Sequence, residues 1–185
     1  MDKIQIPWYR YAVISYLADK LESKTKLGKT ALQKLIYLLQ EAYNVPLEYN
    51  FKFHFYGPFS SRLSGDLDYV DYLKGVDVEY EQSTGGYYIK PGVQKENIIN
   101  KGKDFLEEYR QQLDEAIENF GTSYASNLEL LSTIVYVSKE VEHEENHCTY
   151  DKVIERTGSL KPKFNPGQIS EALEKLKEKN LICQP

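Results

Sequence analysis

The chain reads as mainly α with a small β component: a winged-helix-like helical part carrying a β-hairpin, followed by an additional C-terminal helical layer. Three observations carry this. Apolar residues recur at three- and four-residue spacing in several separate segments. Strict alternation is confined to residues 48–56 and to a pair of short runs around Gly85-Gly86. Composition is globular: 41% hydrophobic and 28% charged over 185 residues, enough to bury a core.

Pro7 suits a first helical turn, where its missing N–H would be unpaired anyway. Tyr11, Ile14, Leu17, Ala18 and Leu21 then mark one helix face, and residues 22–26 break it. Thr30 with Gln33 has the spacing of a capping box, opening a helix striped by Leu32, Leu35, Ile36, Leu39 and Tyr43; Asn44 and Pro46 stop it. In residues 48–56 the period becomes two, with Tyr49, Phe51, Phe53 and Phe55 on the face expected to be buried, and Asn50, Lys52 and His54 opposite. Gly57-Pro58 is expected to end that strand. Residues 60–74 return to helical spacing through Leu63, Leu67, Val70 and Leu73. Val76, Val78 and Tyr80, the Gly85-Gly86 turn and Tyr87-Tyr88-Ile89 then predict a hairpin.

Residues 102–120 predict one helix with Leu106, Tyr109, Leu113, Ile117 and Phe120 on a face, ended by Gly121. Ser126 and Glu129 have capping-box spacing, and the segment 128–137 is apolar nearly all round, as a buried helix is. Residues 140–147 read as an acidic connector, 150–157 as a short helix stopped by Gly158, and Asn165, Pro166 and Gln168 as the cap of a last helix. Two parts follow, 1–100 and 101–185, expected to pack as one unit.

No run of residues approaches the ~18 uninterrupted apolar positions of a membrane span. Met1-Asp2-Lys3-Ile4 lacks the basic and apolar regions of a signal peptide. Cys148 and Cys183 are too few for a disulfide framework, so a reduced, cytoplasmic setting is expected, with Cys183 read as a small core residue. The net charge of −5 disfavours avid non-specific binding to nucleic acid. Locally, however, Lys20, Lys24, Lys26, Lys29 and Lys34 stand against Glu22 alone, and in a winged-helix DNA-binding regulator Lys24, Lys26, Lys29 and Lys34 would form one exposed face beside the hairpin.

Other motifs are weaker than they look. His143-Glu144-Glu145-Asn146-His147 is a literal H-E-x-x-H, which on a helix would set two imidazoles on one face for a zinc-dependent hydrolase. Its neighbours Glu142, Glu145 and Asn146 are polar where a zinc helix needs an apolar back, so it reads as a solvated loop. Gly28-Lys29-Thr30 resembles the end of a phosphate-binding loop, but Ser23 stands where the first glycine belongs. Cys148 next to His147 is not a nucleophile–base pair, because such partners must meet in space. No cofactor is implied.

Residues 27–37, the aromatic strand, Tyr56-Gly57-Pro58-Phe59-Ser60 and the helix with Asp66-Leu67-Asp68 together resemble the SocA-type, or Panacea, antitoxin domain and its YwgA-like relatives. Those proteins share an LQKLxY helix and a YGP turn. The resemblance implies no enzyme, but a protein that binds a protein partner, typically a cognate toxin encoded beside it. Lys34 and Tyr37 fall on the first motif, and Tyr56, Gly57 and Pro58 on the second, as contact or fold residues. Gly57 would allow a turn with positive φ, and Pro58 would start the next helix. Tyr69, Tyr72, Tyr87 and Tyr88 are the candidate surface anchors, since tyrosine offers large contact area with a polar tip.

Overall fold

The structure, a computed structural model, describes residues 6–182. The chain runs α1 (Trp8–Leu21), β1 (Leu27–Gly28), α2 (Lys29–Glu41), β2 (Lys52–His54), β3 (Gly57–Phe59), α3 (Ser61–Tyr72), β4 (Val76–Glu81) and β5 (Gly86–Pro91). Then follow α4 (Lys95–Lys101), α5 (Lys103–Glu108), α6 (Arg110–Phe120), α7 (Ala125–Glu145), α8 (Tyr150–Leu160) and α9 (Pro166–Glu178). It is mainly α with small antiparallel sheets. One sheet has the order β1-β5-β4; the other is the β2–β3 hairpin alone.

The helical stripes hold their expected places. α1 is buried on almost every side from Arg10 to Ala18, because α3, α4, α5 and β5 all pack on it. α2 is buried all round from Leu32 to Leu39, where it meets α6, α7 and β3. α7 is the central beam: residues 128–135 are all buried, and α2, β3, α8 and α9 surround it. A continuous core joins Tyr11 in α1 to Ile182 beyond α9. Among the described residues, no helix is long and apolar enough to cross a membrane.

Several local expectations give way to tertiary contacts. The single helix expected over 102–120 is two segments, α5 and α6, broken at Tyr109, and Gly102 separates α5 from α4 before it. Gly102 lies against α1, and a Cβ there would stand 2.4 Å from that of Ala12. The two internal capping boxes do not form: Gly28 and Tyr124 precede the helices, and neither caps with its side chain. Gln33 and Glu129 are instead spent on distant partners. The box at Asn165 and Gln168 does form, with both bonds at 2.9 Å.

The 140–147 connector is helical through Glu145, and α8 runs past Gly158 to Leu160. Pro58 does not start a helix. It pairs in β3 with Phe53, and Ser60 caps α3 by accepting from Leu63 N–H. Cys148 is buried and disulfide-bonded, against the expectation of unbridged cysteines; Cys183 lies outside the described residues.

Gly102→Ala is expected to destabilise the fold by about 1–3 kcal/mol, because its methyl would overpack a filled contact between α1 and α5. Urea unfolding of both proteins measures this, and an unchanged midpoint would show that α1 can shift to make room.

Candidate interaction site

The two halves of the LQKLxY and YGP resemblance meet in space. α2 runs beneath the β2–β3 hairpin, and the Lys34 side chain reaches up from it. Lys34 is 2% exposed, and its Nζ donates to the Pro58 carbonyl at 2.6 Å. From the opposite side Lys161, in the connection between α8 and α9 and also buried, donates to the Phe55 carbonyl. Two ammonium groups from distant parts of the chain thus hold the two ends of one tight turn.

Gly57 inside that turn has φ +88°, and a Cβ there would come within 3.2 Å of Thr133 Oγ1 on α7. A side chain would therefore be strained twice, by backbone and by contact. Gln33, one residue before Lys34, anchors the far end of the hairpin. Its amide donates to Ser60 O (2.9 Å) and Ser64 Oγ (3.1 Å), and its carbonyl accepts from Ser60 N–H at 3.0 Å.

The held turn projects its aromatic residues outward. Phe55, expected in the core, is 85% exposed, and Tyr56 is exposed beside it; their rings meet edge to face at 5.0 Å. The alternation fails because β2 ends at His54, after which the chain must turn to pair Gly57 back with His54. Upstream the expectation fits better: Tyr49 is buried and Phe51 and Phe53 are half-buried.

A cavity lies on each side of this tip. One of about 380 Å³ lies between α2, α3 and the hairpin, with Leu32, Phe59, Leu63 and Leu67 in its walls and Lys29, His54 and Asp68 among its polar groups. The other, of about 420 Å³, is formed by Phe53, Phe55, Leu160, Lys161, Pro162 and Lys163. Below the second, Glu129 receives Lys161 at 2.8 Å and Lys163 at 2.7 Å. Burial alone would raise the Glu129 carboxyl; the two lysine hydrogen bonds overcome that and hold it below the usual range. Lys34 is pushed down to about 8, chiefly by burial, while Glu129 works the other way and Lys161 adds to the fall.

The remaining predicted residues lie elsewhere. Tyr37 is buried one turn further along α2, edge-on to Phe51 at 5.0 Å, and burial pushes its hydroxyl far up. Tyr69 and Tyr72 are exposed and stack on each other on α3. Tyr87 is exposed and pairs across strands with Tyr80 at 5.1 Å, with Lys29 over its ring. Tyr88 is half-buried, under Lys26.

The expected basic face keeps Lys24 and Lys26 exposed but loses Lys34. Lys34 is interior, Lys26 pairs with Glu81 at 2.7 Å, and Lys29 lies 3.8 Å from Asp68. The H-E-x-x-H geometry is also broken. α7 ends at Glu145, Asn146 turns left-handed with φ 58°, and His147 lies past the helix that carries His143. Among the described residues, no group of His, Cys, Asp and Glu stands together as a metal site.

Sequence patterns did not mark Phe55, Lys161, Lys163 or Glu129 as parts of one site. Their partners lie up to 106 residues away, beyond the reach of any local pattern.

No protein-family profile matches the chain. It is similar to the uncharacterized protein YwgA of Bacillus subtilis (strain 168), with 29% identity over 160 residues, covering 85% of this chain and 89% of that protein.

Lys34→Met keeps the length of the side chain but strands the buried Pro58 carbonyl, so a loss of about 1–3 kcal/mol is expected. The pH dependence has a definite sign. Lys34 falls from an ordinary 10.5 to about 8 on folding, so between these values the unfolded chain binds its proton more tightly. The cost of burying the charge is therefore complete below about pH 8 and is relieved as pH rises toward 10.5. Relative to Lys34→Met, the wild-type protein should gain up to about 3 kcal/mol across that window. Urea midpoints from pH 7.5 upward measure it (about half-unit steps suffice), and a difference independent of pH would show that the proton on Lys34 is not linked to folding.

Proposed function

We propose that the chain is a non-enzymatic protein-interaction domain of the SocA/Panacea antitoxin kind, which binds a protein partner through the β2–β3 tip and so neutralises a cognate toxin by direct contact. The observation that carries this reading is the exposed Phe55–Tyr56 pair on a turn held from both sides by buried lysines. Large exposed aromatics are the residues most often found as binding anchors. A backbone fixed before binding loses little further entropy when a partner arrives, which favours affinity. The cavities beside the pair supply matching recesses for a partner's own side chains.

The similarity to YwgA supports the wider grouping, and the LQKLxY and YGP residues support the antitoxin resemblance through the site they build together. The polar groups around the tip favour recognition over chemistry: Lys34, whose acidity is most altered there, donates to the protein's own Pro58 carbonyl. Action in the cytoplasm goes with the resemblance, and the disulfide at Cys148, uncommon in reduced compartments, is the feature set against it.

A winged-helix regulator is the second reading, favoured by the order α1-β1-α2-α3-β4-β5, into which the β2–β3 hairpin is inserted between α2 and α3, with strands arranged β1-β5-β4. In such an arrangement α3 would enter the major groove. Its charges are Arg62 against Asp66, Asp68 and Asp71, and its outer face carries the Tyr69–Tyr72 stack. An acidic helix repels phosphate, so the protein-binding reading is preferred.

Tagged protein recovered from its own host after nuclease treatment is expected to hold one partner at equal stoichiometry, and the Phe55→Ala/Tyr56→Ala double variant should lose it with an unchanged melting temperature. Retention of the same partner by the folded double variant would remove the tip from the interface. Salt-sensitive retention of the wild-type protein on duplex DNA at ~50 mM salt would favour the regulator instead.

A further inference from the structure

We propose that the partner segment received at the β2–β3 tip is acidic, presenting a carboxylate beside an apolar anchor. This rests on the protein-binding reading above and adds the chemistry of what is bound.

The chain as a whole carries a net charge of −5, yet the charged groups lining the cavities beside the tip sum to the opposite sign. The two flanking cavities are lined by Lys29, Lys34, Lys161 and Lys163 against Asp68 and Glu129. Most of that imbalance is local and partly buried. Lys161 and Lys163 share the single Glu129 carboxylate, and Lys34, close enough to feel both Glu129 and Lys161, finds a carbonyl rather than a carboxylate. Among the described residues, two lysines therefore share one carboxylate, with Lys34 near enough to feel it, beneath an exposed aromatic pair.

Excess positive charge in a poorly hydrated place is costly, and an incoming carboxylate lowers that cost in both directions: it is attracted, and it relieves the cluster. Lys163 is the group placed to receive it. Its side chain is 51% exposed, and of its three N–H donors one serves Glu129, so two remain for an acceptor from outside. Beside it, Phe53, Phe55, Leu160 and Pro162 form the apolar recess for the neighbouring side chain of the same segment.

Single-stranded nucleic acid would also value lysines and exposed rings. Two of the four lysines, however, are buried under the hairpin and cannot reach a phosphate, and Lys29 already faces Asp68. Too few free cations remain for the several phosphate contacts that nucleic-acid affinity needs. A single carboxylate next to an apolar group needs one exposed lysine and one recess, and both are present.

The test is to pan the full chain against a randomised peptide library displayed on phage, and to measure the selected peptides by fluorescence anisotropy. Fluorescein-labelled oligo(dT) serves as the nucleic-acid probe. The expected result is enrichment of Asp or Glu next to Leu, Phe or Trp. Binding should fall about tenfold with Lys163→Gln, recover with Lys163→Arg, and fall about tenfold with Phe55→Ala, while Lys163→Arg and Phe55→Ala melt as the wild type does and Lys163→Gln stays folded at the assay temperature. Selected peptides without acidic residues that still need Phe55 but ignore Lys163→Gln would overturn the acidic inference and leave the tip as an interface. Selected peptides indifferent to Phe55→Ala, or no enrichment at all, would overturn both. Tight oligo(dT) binding abolished by Lys163→Gln would overturn the inference in favour of a nucleic-acid surface.

Discussion

Two hydrogen bonds from buried ammonium groups, Lys34 to the Pro58 carbonyl and Lys161 to the Phe55 carbonyl, set the shape on which the candidate site depends. A turn of this tightness leaves carbonyls pointing away from the hairpin ladder, and buried carbonyls must find donors. Few side chains can deliver a donor from a helix surface across the thickness of a hairpin. Lysine does so because its four-carbon stem packs as apolar material while its head carries the donors. With both carbonyls fixed, Gly57 is fixed at positive φ, and Phe55 and Tyr56 have nowhere to point but outward. Exposure of the aromatic pair is thus a consequence of polar satisfaction beneath it.

That arrangement draws on both halves of the chain. α2 contributes Lys34 and Gln33, while α7 contributes Glu129 and the Ser132–Thr133 ledge against which Gly57 rests. The α8–α9 connection contributes Lys161 and Lys163. α7 packs against α2 on one side and against α8 and α9 on the other, so movement of the C-terminal helices would be felt at the turn. The additional helical layer is therefore part of the site's construction. Gln33 extends the same logic to α3: by bonding both the N–H and the carbonyl of Ser60, it ties α2 to the cap of the next helix.

Local signals were legible wherever the cause was local. The stripes of α1, α2, α3 and α9, the β4–β5 hairpin and the Asn165 capping box all follow from periodicity or short-range hydrogen bonding. Thr30-Gln33 and Ser126-Glu129 have equally good spacing, yet both are false, because Gln33 and Glu129 are claimed by partners on other elements. The same competition hid the charges. Lys34 looked like one of five lysines on a wet face, and only the burial of α2 beneath the hairpin moves it inside. Phe55 matched the alternation of its strand, but the strand stops one residue earlier. The break at Gly102 is set by Ala12, some ninety residues away in sequence, and no window along the chain contains both. The site was legible as two short motifs; that they converge, and that lysines from α2 and from the α8–α9 connection gather there, belongs to tertiary structure.

The choice of charge over apolar filling has a physical meaning. A leucine or methionine in place of Lys34 would occupy the volume without desolvating an ion, and buried ions are often replaced by apolar groups at no loss of stability. Such a side chain would leave the Pro58 carbonyl unanswered and the turn free to relax. The retained lysines answer those carbonyls and define the backbone at one place, and they leave positive charge there that the chain itself neutralises only in part. Structures accept costs of that kind where a surface must be held ready for something else. The Tyr69–Tyr72 and Tyr80–Tyr87 pairs are exposed as well, but they lie on a regular helix and a regular hairpin, where exposure needs no special support. The β2–β3 tip is different in that buried charges from three elements lie beneath two aromatic rings held in solvent, and this difference gives it the stronger claim to be the proposed interface.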